Sequence, residues 1–163
     1  IERILKLAMQ APSGKNRQPW RFVILQEESK DKLVEIMNNI ANIRKDNGLS
    51  IGSSELSINA IKEAPVVILI FNAFSKIEEN YNYNRLLMDV QSIGAAIQTM
   101  ILSAQDMDLG SLWICDVFYS KQEICSWLNR KDELVAAVAI GYINQSPLPR
   151  SRNDLDEVVE WLK

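Results

Sequence analysis

From Arg85 to Met107 the chain places apolar residues at helical spacing, yet no single face holds them all. Leu86, Val90, Ile93, Ile97, Met100, Ile101 and Ala104 make the expected stripe, and Leu87, Gly94, Ala95 and Ala96 carry it around the helix. A helix apolar on several sides is buried on several sides, so the remaining elements must wrap it. A central core helix and a helix at a subunit interface predict the same pattern. Gly94 and its neighbouring alanines permit close backbone approach. With 163 residues, 47% of them hydrophobic and 24% charged, the chain has the size and composition of one globular domain, residues 1–163.

The elements around this helix follow from periodicity and breakers. Ile1, Ile4, Leu5, Ala8 and Met9 predict a helix ending before Pro12. Trp20–Leu25 is rich in strand formers. Leu33, Ile36, Met37 and Ile40 predict a second helix, with Ser29 as its N-cap. Arg44–Ser54 is polar with Gly48 and Gly52, and reads as a loop or lid. A short helix through Leu56, Ile58, Ile61 and Ala64 leads past Pro65 into the strand VVILIF. Asn72–Asn84 reads as a loop, Gly110 as the C-cap of the long helix, and Leu109–Cys115 as a turn and short strand. Lys121–Leu128 is a helix capped by Ser120, Leu134–Ile143 a third apolar strand, and Asp154–Lys163 a closing amphipathic helix. The fold class is α+β.

Composition removes several function classes. The net charge of -3 gives nucleic acid no reason to bind. The unbroken apolar run Ala64–Phe71 is far shorter than the roughly 20 residues of a membrane-spanning helix. Two cysteines without CxxC spacing fit a reducing compartment, so a cytoplasmic protein is expected. The chain has no histidine, which excludes Ser-His-Asp and Cys-His catalysis and His-ligated zinc or iron, and no metal site is expected. Any catalysis then rests on a bound cofactor.

Three segments have the chemistry to hold one. APSGKNRQPW, residues 11–20, is loop chemistry between apolar elements, and Ser13, Asn16 and Gln18 offer donors and acceptors beside the cations Lys15 and Arg17. A solvated surface turn accounts for the same residues. It is not a Walker loop, because Met9 and Asn16 stand where that loop needs glycine and Ser or Thr; no GxGxxG occurs either. In Pro149–Arg152, alternation puts the guanidinium groups of Arg150 and Arg152 on one side, suited to a phosphate or simply to solvent. In Gly110–Ile114, turn amides can meet a flat heterocycle whose faces Leu112, Trp113 and Ile114 cover, or Trp113 packs in the core.

In chain order, APSGKNRQPW with WRFVIL, then MDVQSIGAAIQTMILSAQDMDLGSLWI, then AVAIGYINQSPLPRSRNDLDEVVEWL resemble the nitroreductase family of FMN-dependent oxidoreductases. Pro-Ser, Asn and Gln-Pro-Trp recur in the family's first block. Its Gly-Leu-Gly-Ser reads Asp108-Leu109-Gly110-Ser111 here. The resemblance implies a three-layer α/β/α fold with a central mixed, mainly antiparallel sheet, and a homodimer with FMN at the interface. Ser13, Asn16 and Gln18 would contact the isoalloxazine or ribityl chain, and Lys15 would offset charge near N1. Leu112, Trp113 and Ile114 are the expected contacts from the strand, with the backbone of Trp113–Cys115 beside the N5 edge. Arg150 and Arg152 would hold the phosphate. The implied reaction carries hydride from NADH or NADPH through flavin N5 to an electron-poor small molecule such as a nitroaromatic or quinone, with no catalytic side chain. Dehalogenation, flavin fragmentation and a non-catalytic flavin-binding module are the alternatives. Family members begin with an arginine-rich segment that completes the phosphate site; this chain opens at Ile1 within a helical pattern, so such a segment is expected ahead of it.

Overall fold

The computed structural model describes residues 1–162. Strands β1 (Trp20–Leu25), β2 (Val66–Asn72), β3 (Leu109–Ile114) and β4 (Glu133–Tyr142) form one sheet in the order β1-β2-β4-β3. Every pairing is antiparallel, so the mainly antiparallel sheet is borne out, and no parallel pair occurs among the described residues.

Strand β2 explains the layering. Its sequence VVILIFN has no polar alternation and all of it is buried, as a strand covered on both faces requires. Side chains alternate across a strand. Val67, Leu69 and Phe71 therefore meet one core, built with α2 (Glu27–Asp46), α3 (Ser54–Glu63) and α5 (Lys121–Trp127). Val66, Ile68 and Ile70 meet the other, built with α1 (Glu2–Ala8) and α4 (Tyr83–Asp106). This is the expected three-layer α/β/α arrangement. Each large aliphatic side chain so buried contributes about 1.5–3 kcal/mol, and both the strands and the helices covering them supply such residues.

Helix α4 buries Ile93, Ala96, Ile97, Met100 and Ala104 against the sheet, while Leu87, Val90 and Leu102 stay exposed. By length and composition it could cross a bilayer, but the buried carboxylate of Asp89 and the packing of α1 and β3 along it are those of a core helix. Within the chain, among the described residues, a Cβ at Gly94 would meet only the Trp113 ring, at an ordinary 3.7 Å.

Several local expectations are corrected. Helix α2 starts two residues before Ser29: Gln26 is its N-cap, and Ser29 closes a reciprocal capping box from the third helical position. Its C-terminus runs to Asp46, into the expected loop, and Arg44 holds the following turn through Nε to the Ser50 carbonyl at 2.9 Å. That turn is no lid, since Ser53 donates to Asp116 at 2.8 Å and Arg44 stacks 4.4 Å over the Tyr119 ring. Gly110 lies inside β3; Met107 is the C-cap of α4 and Asp108 takes the left-handed turn at φ 56°. Helix α4 begins at Tyr83, capped by Asn82, which accepts from the Arg85 amide at 3.2 Å. Ser120 is the N-cap of α5, but its side chain makes no capping bond. The closing helix shrinks to α6 (Leu155–Val158), and Lys163 lies outside the described residues.

Candidate functional site

The segment between α1 and β1 is held in a conformation that most side chains avoid. Residues Gly14–Asn16 form a single 3₁₀ turn, yet Lys15, Asn16 and Gln18 have φ of 54°, 55° and 49°. Non-glycine residues in this left-handed region cost of order 1 kcal/mol or more each, and they persist only where the surroundings impose them. Here the surroundings do. The Gln18 amide donates to Ser13 Oγ at 3.0 Å, and Gln18 Nε2 donates to Asn16 Oδ1 at 3.3 Å. The Gly14 amide donates to Ser92 Oγ on α4 at 3.2 Å. A Cβ on Gly14 would lie 2.3 Å from Met88 Cγ and Sδ, so any larger residue there would have to displace the Met88 side chain of α4. Lys15, Asn16 and Gln18 are exposed, and the Lys15 ammonium makes no hydrogen bond or ion pair among the described residues.

Arg17, between these exposed residues, turns the other way. Its Nε and Nη2 donate to Asp89 Oδ1 and Oδ2 at 3.0 and 3.2 Å, and Nη1 and Nη2 donate to Glu78 Oε1 and Oε2 at 3.3 and 2.5 Å. The guanidinium lies 4.6 Å over the Phe74 ring. Asp89 is fully buried and also accepts from the Tyr81 hydroxyl at 3.1 Å. Tyr81 in turn accepts from Asn72 Nδ2 at 2.8 Å, at the end of β2, and Arg85 adds a 2.6 Å bond to Glu78. Hydrogen bonds to Glu78 and then Asp89 raise the Arg17 pKa, and hydrogen bonding from Arg17 holds Glu78 below the usual carboxylate range. Burial, with Asp89 adding to it, pushes the Tyr81 hydroxyl up to about 12. By sequence Arg17 pairs with Lys15 as a cation of a ligand loop or of a solvated turn, neither of which foretells this inward fork; the available signal was Asp89, an acid set among the apolar residues of α4, which needs a buried partner.

The other candidates lie on β3 and in the tail after β4. Ile114 is buried, whereas Leu112 and Trp113 are 43% and 40% exposed, so Trp113 is not a core residue. β3 is an edge strand, with one side of its backbone unpaired. Leu112 lines a groove of about 620 Å³ with Ile101, Gln105, Gly110, Gly141 and Tyr142. Cys115, at the end of β3, has its thiol pushed up by burial and by Asp116, which disfavours the nucleophilic thiolate. Arg150 and Arg152 are exposed in the extended tail, where Arg152 donates to the carbonyls of Arg150 and Ser151 at 3.2 and 3.1 Å. The structure thus brings Ser13, Lys15, Asn16 and Gln18 together. Among the described residues, no hydrogen bond or ion pair joins them to Leu112–Ile114 or to the arginines.

Comparison with known proteins adds the family context. A model of the nitroreductase family matches residues 1–142. YdjA of Escherichia coli K12, provisionally named an NAD(P)H nitroreductase, is 27% identical over 114 residues, covering 69% of this chain and 58% of YdjA. The iodotyrosine deiodinase of Thermotoga neapolitana is 28% identical over 116 residues, covering 66% of this chain and 57% of that protein. The chain therefore spans a little over half the length of these two relatives. Among solved structures, a provisionally named nitroreductase in complex with FMN from Desulfovibrio desulfuricans superposes with a TM-score of 0.72 and 27% identity, over 96% of this chain and 79% of that one.

Proposed function

Because the chain belongs to the nitroreductase family, we propose that it is an FMN-dependent oxidoreductase whose cofactor lies against the Ser13–Gln18 loop. The observation that carries this reading is that loop: a polar segment held in left-handed geometry by internal bonds, with the side chains of Lys15, Asn16 and Gln18 exposed and the Lys15 ammonium unpaired among the described residues. Its donor set fits the group. Asn16 and Gln18 offer both donors and acceptors to the polar edge of a flat heterocycle, and two exposed arginines are available to a phosphate. When bound, FMN supplies hydride transfer at N5, from NADH or NADPH in one half-reaction and to a nitroaromatic or quinone in the other.

The chain's own groups bind, orient and supply charge. Ser13, Asn16 and Gln18 fix the ring system or ribityl chain, and Lys15 provides the cation that offsets the charge of the reduced form. The β3 backbone at Leu112–Ile114 and the side chains of Leu112 and Trp113 flank the ring, and Arg150 and Arg152 hold the phosphate. No side chain acts as nucleophile, in keeping with the absence of histidine. No hydrogen bond or ion pair joins these groups within one chain among the described residues, and two copies related as a homodimer would bring them to one ligand. Exposed apolar surface supports that: Tyr142 at the end of β4 and Leu148, Trp161 and Leu162 in the tail are each at least 78% exposed.

The test is titration of the purified protein with FMN, followed by turnover with NADH or NADPH and a nitro compound or quinone. Quenched flavin fluorescence and oxidation of the nicotinamide are expected; a protein that stays colourless after incubation with FMN refutes the proposal. Dehalogenation is the second reading, favoured by the deiodinase among the relatives. Halide release from an iodotyrosine without nitro reduction would select it.

A further inference from the structure

We propose that Arg17 is the positioning residue of this site: it touches no ligand, but its forked grip on Asp89 and Glu78 imposes the geometry in which Ser13, Asn16 and Gln18 present their polar groups. The identity of the ligand rests on the flavin reading above; the mechanical role of Arg17 does not.

Asn16 and Gln18 flank Arg17 directly, and both are left-handed, while Arg17 itself sits in the ordinary helical region at φ -68°. An alternation of this kind leaves the chain wherever its one inward side chain is anchored. That anchor is a planar guanidinium bonded on two edges to two carboxylates, one from α4 and one from the 72–82 connection. A fork of this geometry fixes orientation as well as position. A second tether, from Gly14 to Ser92, lies one turn along α4 from Asp89, so the loop is pinned to one face of that helix at two points. The Asp89 carboxylate is itself held by Tyr81 and, through it, by Asn72. The conformation of a surface loop is thus set by a buried polar chain running from the sheet.

Two variants separate positioning from plain stability. In Arg17→Lys an ammonium still compensates the buried Asp89 charge but cannot fork between two carboxylates. Arg17→Lys is therefore expected to stay folded and to lose less melting temperature than Arg17→Ala, while FMN affinity falls roughly ten- to a hundredfold, the range seen when the partner that orients a metal ligand is removed. Arg17→Ala is expected to lose both. Amide hydrogen exchange in flavin-free protein gives an independent readout, with the Gly14 and Gln18 amides expected to lose protection in both variants and the β2 amides to keep theirs in Arg17→Lys. Should either variant fail to fold, Glu78→Gln removes one side of the fork and is expected to shift the same amides in the same direction. Unchanged exchange at Gly14 and Gln18, or FMN affinity within about twofold of the parent in folded Arg17→Lys, overturns the proposal. A parent protein that binds no FMN refutes the flavin reading instead, and exchange at Gly14 and Gln18 then decides the role of Arg17 on its own.

Discussion

Replacing Asp89 with Asn keeps the shape of the side chain and removes the charge on which the inner network depends. Asp89 is fully buried and accepts three hydrogen bonds, from Arg17 Nε, Arg17 Nη2 and the Tyr81 hydroxyl. An asparagine oxygen can serve Arg17 at one position only, and its amide then faces a guanidinium N–H, donor against donor. Breaking a buried ion pair by removing one partner costs about 3–5 kcal/mol. The lower end applies, because Glu78 stays bonded to the guanidinium and the Arg17 side chain is 19% exposed. About 3 kcal/mol is therefore expected, and with a urea m-value of roughly 2 kcal/mol/M the unfolding midpoint falls by about 1.5 M. Tyr81→Phe in the same background should be far from additive, since both changes remove the same hydrogen bond. A midpoint shift below about 0.5 M, or full additivity with Tyr81→Phe, would refute the view that this carboxylate holds the loop to the core.

Three further outcomes follow from the same geometry. Gly14→Ala forces a Cβ into Met88, 2.3 Å away, and should destabilise by about 1–3 kcal/mol in chemical denaturation, with Met88→Ala recovering part of that loss. Glu78 has its folded-state pKa lowered by Arg17, so its pairing stabilises the fold above the ordinary glutamate range and that contribution disappears as pH falls through the folded-state value; the melting-temperature gap between the parent and Glu78→Gln should be present at pH 7 and close well below about pH 4. Arg150→Ala with Arg152→Ala removes two exposed side chains without core contacts, so calorimetry should show an unchanged melting temperature while FMN affinity drops at least about tenfold, the value of losing one to two charge-assisted phosphate contacts.

The parts of the fold written in local pattern were legible. β1, β2 and β4 are apolar runs of strand length, and α4 is a long periodic segment, so their existence follows from the residues alone. What escaped depends on contacts distant in sequence. Helix α2 outlasts its apolar stripe because Arg44 and Lys45 bind Ser50 and Glu55 across the following turn. The tail predicts a longer helix than α6 because its apolar residues, Val158, Trp161 and Leu162 among them, have nothing in the same chain to pack upon. At the candidate site, the polar loop and its glycine were visible, but Arg17 was not distinguishable from Lys15 by composition. Its partners stand 61 and 72 residues away, and only the acid in the middle of an apolar helix hinted at them.

Backbone and side-chain NMR of the isotopically labelled protein, titrated with FMN, asks directly whether the separated polar segments serve one ligand. Saturable shifts confined to Ser13–Gln18, Leu112–Ile114 and the guanidinium groups of Arg150 and Arg152 are expected, all with a single dissociation constant. Shifts that leave residues 13–18 untouched, or that never saturate, would contradict a flavin held by this loop.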